Sequence, residues 1–174
     1  MSLDQHIAQR LRAVTGEGAS ICVALSGGLD SVVLLDLMAR HARDLHRSVA
    51  AVHVHHGLSP NADAWCDACT EICAARDVPL DIERVQVERS AGAGLEAAAR
   101  EARYAVYASR KEDFVALAHH REDQSETVLL QLLRGTGLKG VAAMPEVRPL
   151  ADSRVQIMRP LLGVVGSSLV ETIV

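Results

Sequence analysis

Ser26-Gly27-Gly28-Leu29-Asp30-Ser31 stands between an apolar run over residues 20–25 and a helical run over residues 32–43. A short buried strand, a Ser/Gly-rich turn and a helix start are the parts of an anion cradle. The glycines let the backbone approach the anion, and the first N–H groups of the helix have no intrahelical partner. Asp30 adds a second requirement. A carboxylate beside a polyphosphate repels it unless a cation lies between them, so Asp30 implies Mg²⁺. The turn reads as a site for a metal-bound nucleotide.

From this turn outward, strand and helix patterns alternate. Strands are expected over 20–25, 48–54, 80–87 and 114–118, and helices over 3–14, 31–43, 62–76, 95–111 and 123–133. Such alternation predicts βαβ units, hence an α/β fold with a Rossmann-like parallel sheet and helices on both faces. Sheets of this class bind ligands beyond the carboxyl ends of their strands. His53, His55 and His56 fall around the end of the second strand, and His119 and His120 follow the fourth. Several strand ends therefore converge on polar chemistry. Beyond Leu133 the pattern weakens: 135–140 reads as a loop, 155–162 as a last strand, and 164–174 as a small apolar tail without a recognisable element.

The chain has 174 residues, 49% of them apolar, enough for one core and one domain. Aromatics make up only 2%, so Ala, Leu and Val must fill that core. Three of the four cysteines lie within 66–73, which argues against a disulfide framework and for a reducing cytoplasm. There is no signal-peptide pattern and no apolar run of ~18 residues, so neither export nor a membrane partner is expected. The net charge is −4, whereas a chain that grips nucleic acid alone is usually basic.

Other patterns compete for attention. The G-x-x-x-x-G-K-[ST] loop of ordinary γ-phosphate kinases is absent. Gly135-x-Gly137-x-x-Gly140 matches a dinucleotide fingerprint but follows a helix, and Gly92-x-Gly94-x-x-Ala97 reads first as a turn before one. Cys66, Cys69 and Cys73 share one helical face, which suits packing, with metal or iron–sulfur ligation as the alternative. The histidines near position 55 invite zinc, yet no matching Cys or acidic pair stands at a structural-zinc spacing. Asp123 and Glu126, three apart at a helix start, can cap that helix or hold a cation or amine. Arg100 and Arg103, one turn apart, can form a solvated face or clamp an anion.

Together these segments resemble one family. The 26–31 turn is similar to the PP-loop of the ATP pyrophosphatases (adenine nucleotide alpha hydrolase-like), which cleave ATP between its α- and β-phosphates. His53-Val54-His55-His56-Gly57-Leu58, then 95–104, 119–127, Arg134-Gly135-Thr136-Gly137 and Arg159-Pro160-Leu161-Leu162 follow in the order found in tRNA(Ile)-lysidine synthases. The resemblance spans residues 18–163. It implies that residues 1–163 form a PP-loop ATP-binding catalytic domain using ATP and Mg²⁺. The implied reaction adenylates C2 of the wobble cytidine in CAU-anticodon tRNA(Ile), after which the amine of free L-lysine displaces AMP. The same resemblance implies a cytoplasmic ligase and is compatible with a homodimer.

By that resemblance Ser26, Gly27, Gly28, Leu29 and Ser31 hold the pyrophosphate, and Asp30 positions Mg²⁺. Asp123 and Glu126 bind the lysine ammonium with Arg103, while Arg100, His119 and His120 contact substrate. Two departures stand out. Glu122 occupies a place where the family usually has Asp. Family members continue past Arg-Pro-Leu-Leu into tRNA-gripping domains, whereas residues 164–174 form a tail that departs from the family pattern, with those domains expected to be absent. Two further readings remain: an ATP-binding module without turnover, and tRNA 2-thiolation by a PP-loop relative. The thiolating relatives carry Cys-x-x-Cys before the helix that begins here near Leu95, where this chain has Ser90-Ala91-Gly92-Ala93-Gly94.

Overall fold

The computed structural model describes residues 2–87, 94–133 and 143–170. The Gly135–Gly140 pattern, the Arg134-Gly135-Thr136-Gly137 motif, Gly92 and the last four residues lie outside the described residues. The order of elements is α1 (Leu3–Val14), β1 (Ser20–Ala24), α2 (Leu29–Asp44), β2 (Ser48–His55), α3 (Ala62–Ala74) and β3 (Leu80–Arg84). There follow α4 (Leu95–Ala108), β4 (Phe114–Ala116), α5 (Arg121–Leu133), β5 (Val147–Pro149), β6 (Gln156–Met158) and α6 (Ser167–Val170).

The strands form one sheet in the order β3-β2-β1-β4-β6-β5. Every pairing is parallel except β5 with β6, so a short antiparallel strand closes one edge. The parallel sheet expected from the alternation is present, and β5 is the addition to it. Strand side chains alternate between faces, and that alternation builds two cores. Ile21 and Val23 of β1, Phe114 and Ala116 of β4 and Met158 of β6 pack with α1, α2, α3 and α6. Cys22, Val115 and Ile157, from the same strands, pack on the other face with Tyr107 of α4. Helices therefore cover both faces. Leu34, Leu35, Leu37 and Met38 are all fully buried, which makes α2 the spine of the larger core.

The boundaries move for physical reasons. The strand expected over 155–162 stops at Met158. Arg159 N–H still bonds the Glu146 carbonyl in the β5 register at 2.8 Å, but Pro160 has no N–H to continue the ladder. The chain turns there, Leu162 N–H bonding the Arg159 carbonyl at 3.2 Å. The apolar tail contains an element after all. In α6, Leu169 is fully buried and belongs to the larger core, beside Val164.

Candidate nucleotide and substrate site

All four inner strands run parallel, so their carboxyl ends share one edge of the sheet. The 26–31 turn follows β1, His56 follows β2, His119 follows β4 and Arg159 follows β6. The strand order reverses between β1 and β4, and the turn sits at that reversal, where open α/β sheets bind ligands.

The turn holds itself open with its own hydroxyls. Ser31 Oγ donates to the Gly28 carbonyl at 2.8 Å and lies 3.0 Å from Ser26 Oγ. Ser26 N–H donates to Ser31 Oγ, and Gly28 N–H to Ser26 Oγ, each at 3.2 Å. Gly27 has φ +84°, a left-handed conformation, and a Cβ added there would meet Cys69 Sγ at 3.5 Å. Gly28 is the N-cap of α2, and no side chain caps that helix. The first-turn amides are thus left for an anion at the positive end of the helix dipole. Leu29 and Asp30 occupy that first turn, Leu29 exposed and Asp30 half-buried.

Two adjoining cavities open on either side of the turn. The first, of about 230 Å³, has apolar walls from Val52, Val54, Leu58, Ala62 and Trp65, with polar groups from Ser26, His53, His56 and Arg103. Leu58 and Trp65 are each 48% exposed and flank it, which suits a planar heterocycle. His53 Nδ1 hydrogen-bonds the Leu25 carbonyl at 2.8 Å, and the Cys69 sulfur lies 3.4 Å from the same nitrogen. Burial, then the nearby Arg103 charge, holds His56 below its ordinary pKa, so its ring is neutral at pH 7 and can both accept and donate.

The second cavity, of about 240 Å³, is polar. Gly28, Asp30, Ser31, Arg100, Arg103, Tyr104, His119 and Asp123 line it. Ser26 and Arg103 line both cavities. Burial, reinforced by Arg159, lowers the His119 pKa to about 4. One Asp123 oxygen accepts the His120 N–H at 2.8 Å, so the capping reading of this residue holds for Oδ2 while its carboxylate still faces the cavity. His120 bridges the two carboxylate regions: Nε2 lies 3.6 Å from Asp30 and Nδ1 2.9 Å from Glu122. Glu122 Oε2 accepts the Gly166 N–H at 3.0 Å, and that bond together with His120 holds its carboxyl below the usual range. The longer arm of Glu122 thereby ties the start of α5 to the turn before α6.

Glu126 is exposed and lines neither cavity, unlike Asp123. Cys66, Cys69 and Cys73 are all buried on the inner face of α3. Burial raises all three thiols, Cys69 to about 11, so they are packing groups with little thiolate character. Sequence reasoning missed Tyr104, Arg148 and the buried charge of Arg159. The Arg159-Pro160 turn marked the last, while β5, three residues ending in proline, offered no pattern to mark Arg148.

A sequence profile of the PP-loop domain matches residues 3–174. The chain belongs to the PP-loop family. It is 55% identical over 141 residues to the tRNA(Ile)-lysidine synthase of Chromobacterium violaceum, covering 80% of this chain and 32% of that protein. It is 46% identical over 164 residues to the enzyme of the same name from Azoarcus sp., covering 94% of this chain and 37% of that protein. The chain thus spans about a third of the length of the curated relatives it matches. Among solved structures it resembles the U34-tRNA thiolase NcsA from Methanococcus maripaludis, with TM-score 0.77 and 18% identity, covering 97% of this chain and 61% of the thiolase. That likeness concerns the fold alone.

The PP-loop residues fit a Mg-ATP complex. The uncapped helix start and the two hydroxyls offer donors to phosphate oxygens, and Asp30 is the carboxylate among them, lining the polar cavity. Among the described residues no group of three His, Cys, Asp or Glu side chains gathers to hold a metal ion. One carboxylate with phosphate oxygens and waters is the usual shell of nucleotide-bound Mg²⁺.

Proposed function

We propose that this chain is the ATP-dependent catalytic portion of a tRNA(Ile)-lysidine synthase, joining lysine to C2 of the wobble cytidine of CAU-anticodon tRNA(Ile). The observation that carries this reading is the uncapped start of α2 at the junction of an apolar cavity and a polar one. The apolar cavity suits adenine, the turn suits the phosphates, and the polar cavity suits the base, whose C2 oxygen attacks the α-phosphate, and the amine that then displaces AMP from C2.

Ser26, Gly27, Gly28, Leu29 and Ser31 bind the pyrophosphate portion through N–H and hydroxyl groups. Asp30 holds Mg²⁺, which when bound neutralises charge on the departing pyrophosphate. Asp123 presents its carboxylate to the lysine ammonium from the wall of the polar cavity, and Arg103, common to both cavities, orients the reacting groups. Arg100 and His119 line the same cavity and contact the tRNA, with His120 holding Asp30 and the start of α5 in register. Glu126, exposed one turn beyond Asp123, is the second carboxylate of the lysine site in this reading. No covalent enzyme intermediate is required, because positioning and charge neutralisation carry both steps. The proposed setting is the cytoplasm, with free L-lysine and tRNA(Ile) as partners and a homodimer as a compatible assembly. No helix among the described residues is long and apolar enough to cross a membrane.

The test is incorporation of radiolabelled lysine into unmodified CAU-anticodon tRNA(Ile) with Mg-ATP, with Asp30→Asn as control. Alkali-stable label that disappears with the variant is the expected result. Intact Mg-ATP binding without label would favour an ATP-binding module that lacks turnover by itself, a reading to which the one-third coverage of the relatives gives weight. Absence of ATP binding would sink the assignment of the 26–31 turn.

A further inference from the structure

Three arginines crowd one tyrosine at the rim of the polar cavity, and a fourth precedes that tyrosine in the chain. Arg100 donates from Nη2 to the Tyr104 hydroxyl at 3.2 Å, and its guanidinium carbon lies 4.9 Å from the ring centroid. Arg148, from the edge strand β5, sits over the same ring at 5.3 Å. Arg159 is only 2% exposed; its Nη1 donates to the Pro145 carbonyl at 2.8 Å, and its buried Nε has no partner. Arg103, near Tyr104 on α4, likewise has a buried Nε without a partner.

None of these four has a carboxylate within ion-pair distance among the described residues. The arginine–carboxylate pairs there belong to Arg10, Arg40, Arg76, Arg84 and Arg110. A buried guanidinium without a counter-charge is strongly disfavoured unless something else supplies the negative charge. The patch favours negative charge. Burial, with Arg148 and Arg100 nearby, lowers the Arg159 pKa, and the guanidiniums of Arg148, Arg100 and Arg159 outweigh burial to lower that of Tyr104. The chain as a whole carries −4, so this patch runs against its average charge.

The structure assigns to this patch, we infer, a second anion site: a phosphodiester of an RNA strand lies against Tyr104 between Arg100 and Arg148, with Arg159 beneath as a buried supporting charge. The phosphates of ATP have their own donors in the turn, and neither Arg148 nor Arg159 lines the cavities beside it. A strand entering the polar cavity carries further phosphates at regular spacing, and planar guanidiniums take such groups by paired N–H donors. This inference rests on the reading of the chain as acting on RNA, and it adds the contact that fixes the path of the strand.

The test uses a fluorescent 17-nucleotide RNA hairpin with a CAU loop, titrated over a salt series, beside calorimetric Mg-ATP binding and a thermal melt. The variants are Arg148→Gln and Arg100→Gln, which lie at the surface or half-buried and leave the Arg159 bond to Pro145 in place. Each is expected to weaken RNA binding on the order of tenfold and to reduce the slope of log K against log salt by about one, because one phosphate contact is lost. Mg-ATP affinity stays within about twofold, and the melt is unchanged. Unaltered RNA affinity and slope overturn the site, as does a loss that falls on Mg-ATP instead, or failure of the unsubstituted chain to bind the hairpin at low salt. Lysine incorporation with binding indifferent to Arg148 overturns this site alone. Arg148-dependent RNA binding without incorporation supports the site and removes the lysidine reading alone.

Discussion

At the scale of single residues, the turn after β1 depends on one backbone conformation. Gly27 at φ +84° is in a region that costs an L side chain about 1–2 kcal/mol. Gly27→Ala is expected to lower the Tm by a few degrees and to weaken Mg-ATP binding at least tenfold, measured by melting and calorimetry. His119 makes a second prediction. Its ring stays neutral in the folded chain until about pH 4, against an ordinary value of 6.5 once unfolded. Between those values the unfolded state binds the additional proton, so stability is lost as pH falls through that window. His119→Gln has no such proton to take up. Its Tm will fall less between pH 6.5 and 4 than that of the unsubstituted chain. An identical slope would show that His119 titrates normally in the fold.

At the scale of elements, α5 is the anomaly. It buries no residue, and Leu129, Leu132 and Leu133 are 56%, 54% and 75% exposed, yet its first turn presents Asp123. Its first turn is tied down by the bonds of His120, Asp123 and Glu122 described above, and by Gln124, whose side chain exchanges two hydrogen bonds with the Met144 backbone at 2.9 and 2.6 Å. Leu132→Lys is expected to leave the Tm within about one degree, as surface changes usually do. Glu122→Ala is expected to lower it, because the Gly166 N–H then loses its acceptor; the thermal melt decides both. The ends of elements were readable in the chain wherever chemistry marked them. Gly28 and Asp30 announced α2, and the apolar runs of β1, β2 and β4 announced a buried parallel sheet. The capping alternative for Asp123 was also legible, from its three-residue spacing. What was not legible is held by distant contact. β5 has three residues including Pro149, and its pairing with β6 is not encoded in any local period. The four residues of α6 are fixed by burial of Leu169 in a core built elsewhere. Tyr104 and Arg148 meet only because β5 and α4 do, so no spacing could place them together.

At the scale of the whole molecule, two cores share one sheet, and α2 joins the larger core to the site. Leu35→Ala, at a fully buried position, should cost about 2–5 kcal/mol and lower the Tm by about 10 °C. Mg-ATP should partly restore that Tm in proportion to its occupancy, since a ligand held only by the native state stabilises it by mass action. The strand order has a kinetic consequence. On one side β1 pairs with β2, and the His53 bond to Leu25 closes a separation of 28 residues. On the other it pairs with β4, where the Asp113 bond to Ser20 closes one of 93. Closing the longer loop demands more chain entropy and comes later on a folding trajectory or a ribosome. The turn itself can form early, but the polar cavity beside it needs His119 and Asp123. A nascent chain therefore displays a phosphate cradle before it owns a place for the second substrate, and becomes competent only when its centre is sealed from the far side.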